Sequence, residues 1–203
     1  MTDASAFVRR AGATRRLPDP RALFLRGFLR HPAMVASVMP SSNRLIRRML
    51  APVDWERTRL FVEYGPGVGC FSLAALARMR RDARMVAIDT NPDFTAYLQD
   101  TIRDPRFEAV TGSAADARRI LRAQGAGEAD YVLSGLPFST LPDGIGERIV
   151  SETAAMLRPG GAMLVYQTRP HVRQLLEHHF DRIEAAREWW NLPPIQLSWA
   201  WKS

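Results

Sequence analysis

From residue 58 onward, short runs rich in β-branched and aromatic residues alternate with stretches whose apolar side chains recur at helical spacing. The extended runs are 59–63, 85–89, 107–110, 131–134 and 162–166; the helical stretches between them are 70–79, 94–102, 115–122 and 145–157. Strict alternation of strand and helix predicts a parallel sheet wrapped by helices. Residues 157–161, Leu-Arg-Pro-Gly-Gly, read as a helix end and a tight turn, because proline stops a helix and glycine tolerates positive φ. After a helix near 171–179, residues 182–188 and 195–201 predict an antiparallel hairpin at the sheet edge. Its second strand places Ile195, Leu197, Trp199 and Trp201 on one face. The whole is an α/β chain with a Rossmann-like, doubly wound sheet of seven strands.

Ahead of this pattern, Asp19-Pro20 forms a cap and first-turn pair for a helix over 20–31 that stops before Pro32. Phe24, Leu25, Phe28 and Leu29 fall on one side of it, with Arg21, Arg26 and Arg30 largely elsewhere. Such a basic amphipathic helix suits either a membrane interface or packing against the domain. Phe7 and Val8, flanked by Arg9 and Arg10, offer a shorter version. The predicted organisation is an N-terminal basic helical segment over 1–57, acting as interface and active-site lid, followed by a catalytic domain over 58–203.

Composition narrows the picture. A chain of 203 residues with 46% hydrophobic content supports one core and is too short for two comfortable domains. The single cysteine, Cys70, excludes a disulfide within the chain and suits a reducing compartment. No apolar run approaches the roughly 20 residues needed to span a bilayer, and the first residues lack the apolar core of a signal peptide. The net charge of +7 is unevenly placed: residues 1–59 hold 12 arginines and 4 acids, while the remainder holds 16 basic residues and 17 acids. Positive charge concentrated ahead of the domain predicts an anionic partner, either a membrane surface or nucleic acid.

The candidate chemistry starts at Glu63-Tyr64-Gly65-Pro66-Gly67-Val68-Gly69, where the first strand ends. Gly65, Gly67 and Gly69 keep side chains out of the first strand-to-helix turn, as a nucleoside cofactor requires. Asp89 ends the second strand 20 residues after Gly69, where a carboxylate meets ribose hydroxyls. The spacing is G-x-G-x-G, and Glu63 stands two residues before the first glycine. An acid there would repel a pyrophosphate but suits a cationic methionine group, directly or through water. S-adenosylmethionine is the cofactor that this pattern predicts.

The same stretch resembles the first motif of the class I S-adenosylmethionine methyltransferases, and the resemblance covers most of residues 58–168. It implies the class I methyltransferase fold, Asp89 at the ribose with Thr90 also among the cofactor-binding residues, and Gly112-Ser113-Ala114 beside the adenine. Members of that family often carry an acid where Ser113 stands. After the fourth strand, Ser134-Gly135-Leu136-Pro137-Phe138-Ser139 occupies the place of Asn-Pro-Pro-Tyr or Asn-Leu-Pro-Tyr in enzymes that methylate planar amines. Replacement of the Asn carboxamide by Ser134-Gly135 favours an aliphatic amine, whose methylated cation could rest against Phe138, unless that ring is simply a core or rim aromatic.

A closer resemblance is to the bacterial phospholipid N-methyltransferases, in the branch related to ribosomal dimethyladenosine enzymes. His31-Pro32, Ser37 through Ser42, Glu63 to Gly69, Ser134 to Phe138, and Asn191-Leu192-Pro193-Pro194 carry it. It implies methylation of phosphatidylethanolamine towards phosphatidylcholine, with S-adenosylhomocysteine as product; an ornithine lipid or an RNA adenine is the alternative acceptor. Ser134 and Tyr166 are candidate weak proton acceptors, and Ser134 is also a candidate cofactor contact. Arg169 and His171, with Leu136 and Phe138, are candidates for the lipid head group, and ordinary loop polarity is the other reading of the first two. Ser41 or Ser42 is an expected helix cap close to the cofactor. The accompanying expectations are an anionic membrane surface as partner, disfavoured nucleic acid, no metal, a monomer, and a cytoplasmic location at the inner face of the membrane.

Overall fold

In the computed structural model, which describes residues 42–169, 171–191 and 193–203, the first strand β1 (Leu60–Tyr64) is buried along its whole length. It pairs in parallel with β2 (Arg84–Asp89) on one side and β4 (Ala129–Ser134) on the other. Strand β3 (Phe107–Thr111) adds to β2, and β5 (Leu157–Gln167) adds to β4, both parallel. The final hairpin, β6 (Arg182–Glu188) and β7 (Ile195–Trp201), joins through β7, which runs antiparallel to β5. The order is β3-β2-β1-β4-β5-β7-β6, the Rossmann-like class I methyltransferase fold.

Alternation along each strand divides the interior into two layers. Phe61, Met85, Leu133, Leu164 and Trp199 face the layer that contains α1 (Asn43–Met49), α2 (Cys70–Leu76) and α3 (Pro92–Thr101). Val62, Val86, Val132 and Val165 face α4 (Ala117–Ala123), α5 (Ile145–Met156) and α6 (Val172–Glu177). Because Glu63 follows Val62, it points into the first layer although it is charged. The predicted face of β7 is observed: Leu197 and Trp199 are buried in the first layer, with Ile195 and Trp201 packed partly against it.

Two sequence expectations change. The expected helix end is observed, α5 stopping at Met156, and Gly160 has the expected positive φ of 75°; but Leu157 is already extended, so residues 157–161 form the irregular start of β5 where a separate turn was expected. The cause is Asp130 on β4, which sits at a register shift and pairs with the Arg158 guanidinium, drawing residue 158 alongside the sheet. Gly161 permits this approach, since a Cβ there would come within 2.7 Å of the Asp130 carbonyl oxygen. The second change concerns residues 43–53, read from sequence as part of a leading segment. Leu45, Met49, Leu50 and Val53 are buried in the same layer as the sheet. Trp199 Nε1 donates to the Met49 carbonyl at 2.9 Å, which fixes the end of α1 against β7. The proposed helix over 20–31 lies outside the described residues. Among the described residues, no helix is long and apolar enough to cross a membrane.

Candidate active site

Parallel strands deliver their carboxyl ends to one edge, and the expected cofactor residues collect there. The backbone keeps them together: Gly65 N–H donates to Ile88 O at 2.9 Å, Gly112 N–H to Asp89 O at 2.9 Å, and Gly135 N–H to Tyr64 O at 3.1 Å. These bonds carry the sheet pairing one step past the strand ends and hold the three loops side by side.

The glycine turn is built as its composition requires. Gly69 has φ +83°, and a Cβ at that position would lie 2.6 Å from Leu98 Cδ2 on α3. Gly65 has φ +65°, with Leu136 Cδ2 3.1 Å from where its Cβ would be. Leu136 thus lies over the turn, so the loop after β4 and the cofactor loop are packed against one another.

Glu63 is 1% exposed. Ser72 Oγ on α2 donates to its Oε2 at 2.5 Å. Burial pushes the Glu63 carboxyl up to about 7 against the lowering effect of Ser72, with the nearby Asp89 charge adding a further rise. A buried carboxylate with a single hydroxyl donor is poised to accept a cation. Asp89 is half-buried at the end of β2, where its Oδ1 accepts from Asn91 N–H at 2.8 Å. Burial raises its carboxyl to about 6, opposed by the backbone N–H groups of Asn91 and Gly67. Asn91 caps α3 through Asp93 N–H, and Pro92 opens the helix, which fixes the turn beyond Asp89. Thr90 is exposed beside it. The clearance at Gly65 and Gly69 and the two acids at the carboxyl edge fit S-adenosylmethionine, the cofactor of this fold.

The structure separates the remaining candidates. Ser113 caps the 3-10 turn at Ala114–Asp116 by accepting from Ala115 N–H at 3.2 Å, and Ala114 is buried. Ser42 caps α1, accepting from Leu45 N–H at 3.2 Å and donating to Asn191 Oδ1 at 3.3 Å. The Ser-Ser and Asn-Leu-Pro-Pro elements therefore touch across 149 residues. Ser41 lies outside the described residues. Ser134 is fully buried, its Oγ accepting from Leu136 N–H at 3.3 Å.

Tyr166 is buried and stacked on Phe71, with centroids 4.7 Å apart. A Cβ on Gly135 would collide with its phenol oxygen, so only glycine lets the ring lie against the loop after β4. Burial, with the Glu63 charge next in weight, pushes the phenol well above its ordinary value. A phenol held protonated is a relay, not a base: it receives a proton only while passing its own on. Phe138 corrects an expectation. It is 5% exposed and belongs to the layer formed with α5 and α6, because the 3-10 turn Phe138–Thr140 directs the ring inward. It is the core aromatic of the two readings, and does not offer a free face to a methylated cation.

Arg169 and His171 do come together at the rim beyond β5, lining a cavity of about 590 Å³ with Arg173, Gln174 and Glu177. Arg173 is engaged with Glu177 at 2.9 Å. Three features escaped the sequence reading: Ser72 as the donor to Glu63, Gly135 as the seat of Tyr166, and Gln167, a buried residue at the end of β5 whose Nε2 has no hydrogen-bond partner. Ser72 was the most discoverable, a hydroxyl on the otherwise apolar buried face of α2.

The chain is similar to known methyltransferases. Residues 61–161 match a family model described as a methyltransferase domain. An ornithine lipid N-methyltransferase of Singulisphaera acidiphila is 32% identical over 174 residues, which cover 85% of this chain and 91% of that protein. A ribosomal RNA small subunit methyltransferase A of Rhodococcus erythropolis is 29% identical over 97 residues, 46% of this chain and 31% of that one. Among solved structures, the N-methyltransferase NodS of Bradyrhizobium japonicum, in complex with S-adenosyl-L-homocysteine, superposes with a TM-score of 0.63 at 14% identity, covering 88% of this chain and 97% of NodS.

Proposed function

Since the chain belongs to the class I S-adenosylmethionine-dependent methyltransferase family, we propose that it methylates the aliphatic amine of a lipid head group at a membrane surface, with an ornithine lipid favoured over phosphatidylethanolamine. The observation that carries this reading is the likeness to an ornithine lipid N-methyltransferase along 85% of the chain. The ribosomal relative matches less than half of the chain, and supports a shared cofactor domain.

Glu63 would hold the methionyl ammonium and Asp89 the ribose hydroxyls. Bound S-adenosylmethionine supplies a methyl group on a positively charged sulfur, open to attack by a neutral amine. An aliphatic amine, with a pKa of about 10, arrives protonated at neutral pH and must lose that proton before it reacts. That proton leaves to solvent water at the open rim, with the hydroxyls of Tyr166 and Ser134 as relays along the way, and the main contribution is alignment of amine and methyl against the buried wall of the site. An ornithine head group also carries a carboxylate, which suits Arg169 at the rim; the phosphate of phosphatidylethanolamine would use the same donors.

Incubation with methyl-labelled cofactor and vesicles containing ornithine lipid, phosphatidylethanolamine, or neither, beside a ribosomal RNA control, tests the assignment. Label in the ornithine lipid fraction is expected. Transfer to phosphatidylethanolamine alone would reverse the order of the two lipids, and transfer to RNA alone would overturn the lipid reading.

A further inference from the structure

The turn between β6 and β7 presents two adjacent tryptophans to solvent, Trp189 at 66% exposure and Trp190 at 80%. With Leu73 they are the only large apolar side chains exposed among the described residues. Indole rings offer large apolar surfaces, and leaving two of them in water is unfavourable unless something covers them. Their setting is cationic. The Arg187 guanidinium lies 4.8 Å from the Trp189 ring centre and that of Arg44 lies 5.7 Å from the Trp190 ring. Arg47 and Arg48 close the last turn of α1, from which Arg48 Nη1 donates to the Arg187 carbonyl at 2.9 Å. The acid of this cluster, Glu188, is buried and compensated by Arg44 at 3.3 Å and Arg48 at 3.2 Å. Four arginines therefore stand against one sequestered carboxylate, and the surface shows indole and guanidinium.

Topology places this surface with respect to the site. Strand β7 is antiparallel to β5, and β6 is antiparallel to β7, so β6 runs with β1 to β5. Gln167 pairs with Gln196, and Glu188 with Ile195. The turn consequently emerges at the same edge as the glycine turn, Ser134 and Arg169. A body that meets the indoles also faces that rim.

We propose that the Trp189–Trp190 turn, with Arg44, Arg47 and Arg187, is a docking surface for an anionic lipid bilayer. The inference rests on the lipid reading of the acceptor and extends it to a surface. The indoles settle at head-group level, as amphipathic aromatics do at membrane interfaces, while the guanidiniums meet lipid anions. Docking by this turn brings the rim containing Arg169 towards the membrane, so a head group can enter without the lipid leaving the bilayer.

The test uses the full chain, without cofactor, and phosphatidylcholine vesicles made with or without phosphatidylglycerol, some carrying brominated acyl chains. Wild-type protein should sediment with the anionic vesicles, and bromine should quench its fluorescence. The W189A/W190A variant should bind at least about tenfold more weakly and lose that quenching, with an unchanged melting temperature. R47E should weaken binding severalfold and flatten its salt dependence. Equal binding and quenching by the double variant would overturn the proposal. So would indoles shielded from acrylamide in the vesicle-free chain, which would mean that residues 1–41 or a second copy already cover them. Transfer to a short-chain, monomeric ornithine lipid separates this from the acceptor reading: the double variant should retain that activity and lose transfer to vesicle-borne lipid. Wild-type protein that docks through the indoles yet methylates no lipid amine would overturn the acceptor reading and leave the docking surface standing.

Discussion

Glu63 and Asp130 stand on neighbouring strands, both almost wholly buried, and each is surrounded differently. Asp130 lies at the start of β4, where its Oδ2 accepts from the N–H groups of Arg59 at 2.7 Å and Leu60 at 2.8 Å. Its other oxygen pairs with Arg158. Three donors converge on it, from Leu60 on β1, Arg59 just before β1 and Arg158 on β5, so this carboxylate ties β1, β4 and β5 together at the amino edge of the sheet. Glu63, at the carboxyl edge, has Ser72 for a donor and a carboxyl raised to about 7. A satisfied buried carboxylate is a structural tie, whereas an under-satisfied one holds capacity in reserve for a cationic ligand. On the proposed reading, one buried acid serves stability and the other binding.

The largest expected effect breaks the first half of that contrast. Asp130→Ala leaves two backbone N–H groups and the Arg158 guanidinium without their acceptor and should cost about 3–5 kcal/mol in urea unfolding. Cofactor affinity of the protein that remains folded should be unchanged. A loss of affinity with little loss of stability would show that the two ends of the sheet do not divide their work in this way.

Glu63→Gln should do the reverse. Removal of the charge proposed to meet the ammonium should weaken cofactor binding by about 2 kcal/mol, roughly thirtyfold, in calorimetric titration. Stability should not fall. A carboxyl at about 7 when folded and 4.5 when unfolded binds more protons in the folded state between those values, so stability declines as pH rises from about 4.5 to 7. The full penalty, about 3 kcal/mol, is present above pH 7 and should disappear from the ligand-free Gln variant. Cofactor affinity of the wild type should rise with pH up to about 7, because the ammonium selects the ionised carboxylate. A flat profile in the wild type would assign the ammonium to another group.

The contrast also explains what could be read from the chain. Glu63, the glycines and Asp89 were legible because the first turn and the next strand end are built from short contiguous stretches whose spacing carries the chemistry. The tie at Asp130 was not, since its donors come from residues 59, 60 and 158, and only the folded sheet brings them together. Arg158 is also why residues 157–161 begin a strand where local proline and glycine signals predict a turn. The outward or inward direction of Phe138 depended on the packing of α5, a tertiary choice to which loop composition is indifferent.

A smaller effect should sharpen the boundary between cofactor and acceptor chemistry. Gly135→Ala forces Tyr166 off its seat on the loop after β4 while leaving the glycine turn in place. If Tyr166 serves the acceptor side, turnover should fall by about tenfold with cofactor affinity changed less than about threefold. Equal losses in both would place Tyr166 with the cofactor instead, through the Phe71 stack that opens α2.

The smallest effect concerns Ser42, the helix cap that the sequence led one to expect and that the structure places at the head of α1. Its hydroxyl caps the helix and reaches Asn191 across the β6–β7 turn, so Ser42→Ala should cost about 1 kcal/mol of stability. The loss should be concentrated in α1, where amide exchange at Leu45 and Ile46 should accelerate ahead of exchange in β1. A cap that only fastens α1 leaves cofactor titration unaltered; a measurable fall in affinity would return Ser42 to the cofactor site. In that case the contact between the Ser-Ser and Asn-Leu-Pro-Pro elements would link the cofactor to the tryptophan turn, because Asn191 follows Trp190 directly.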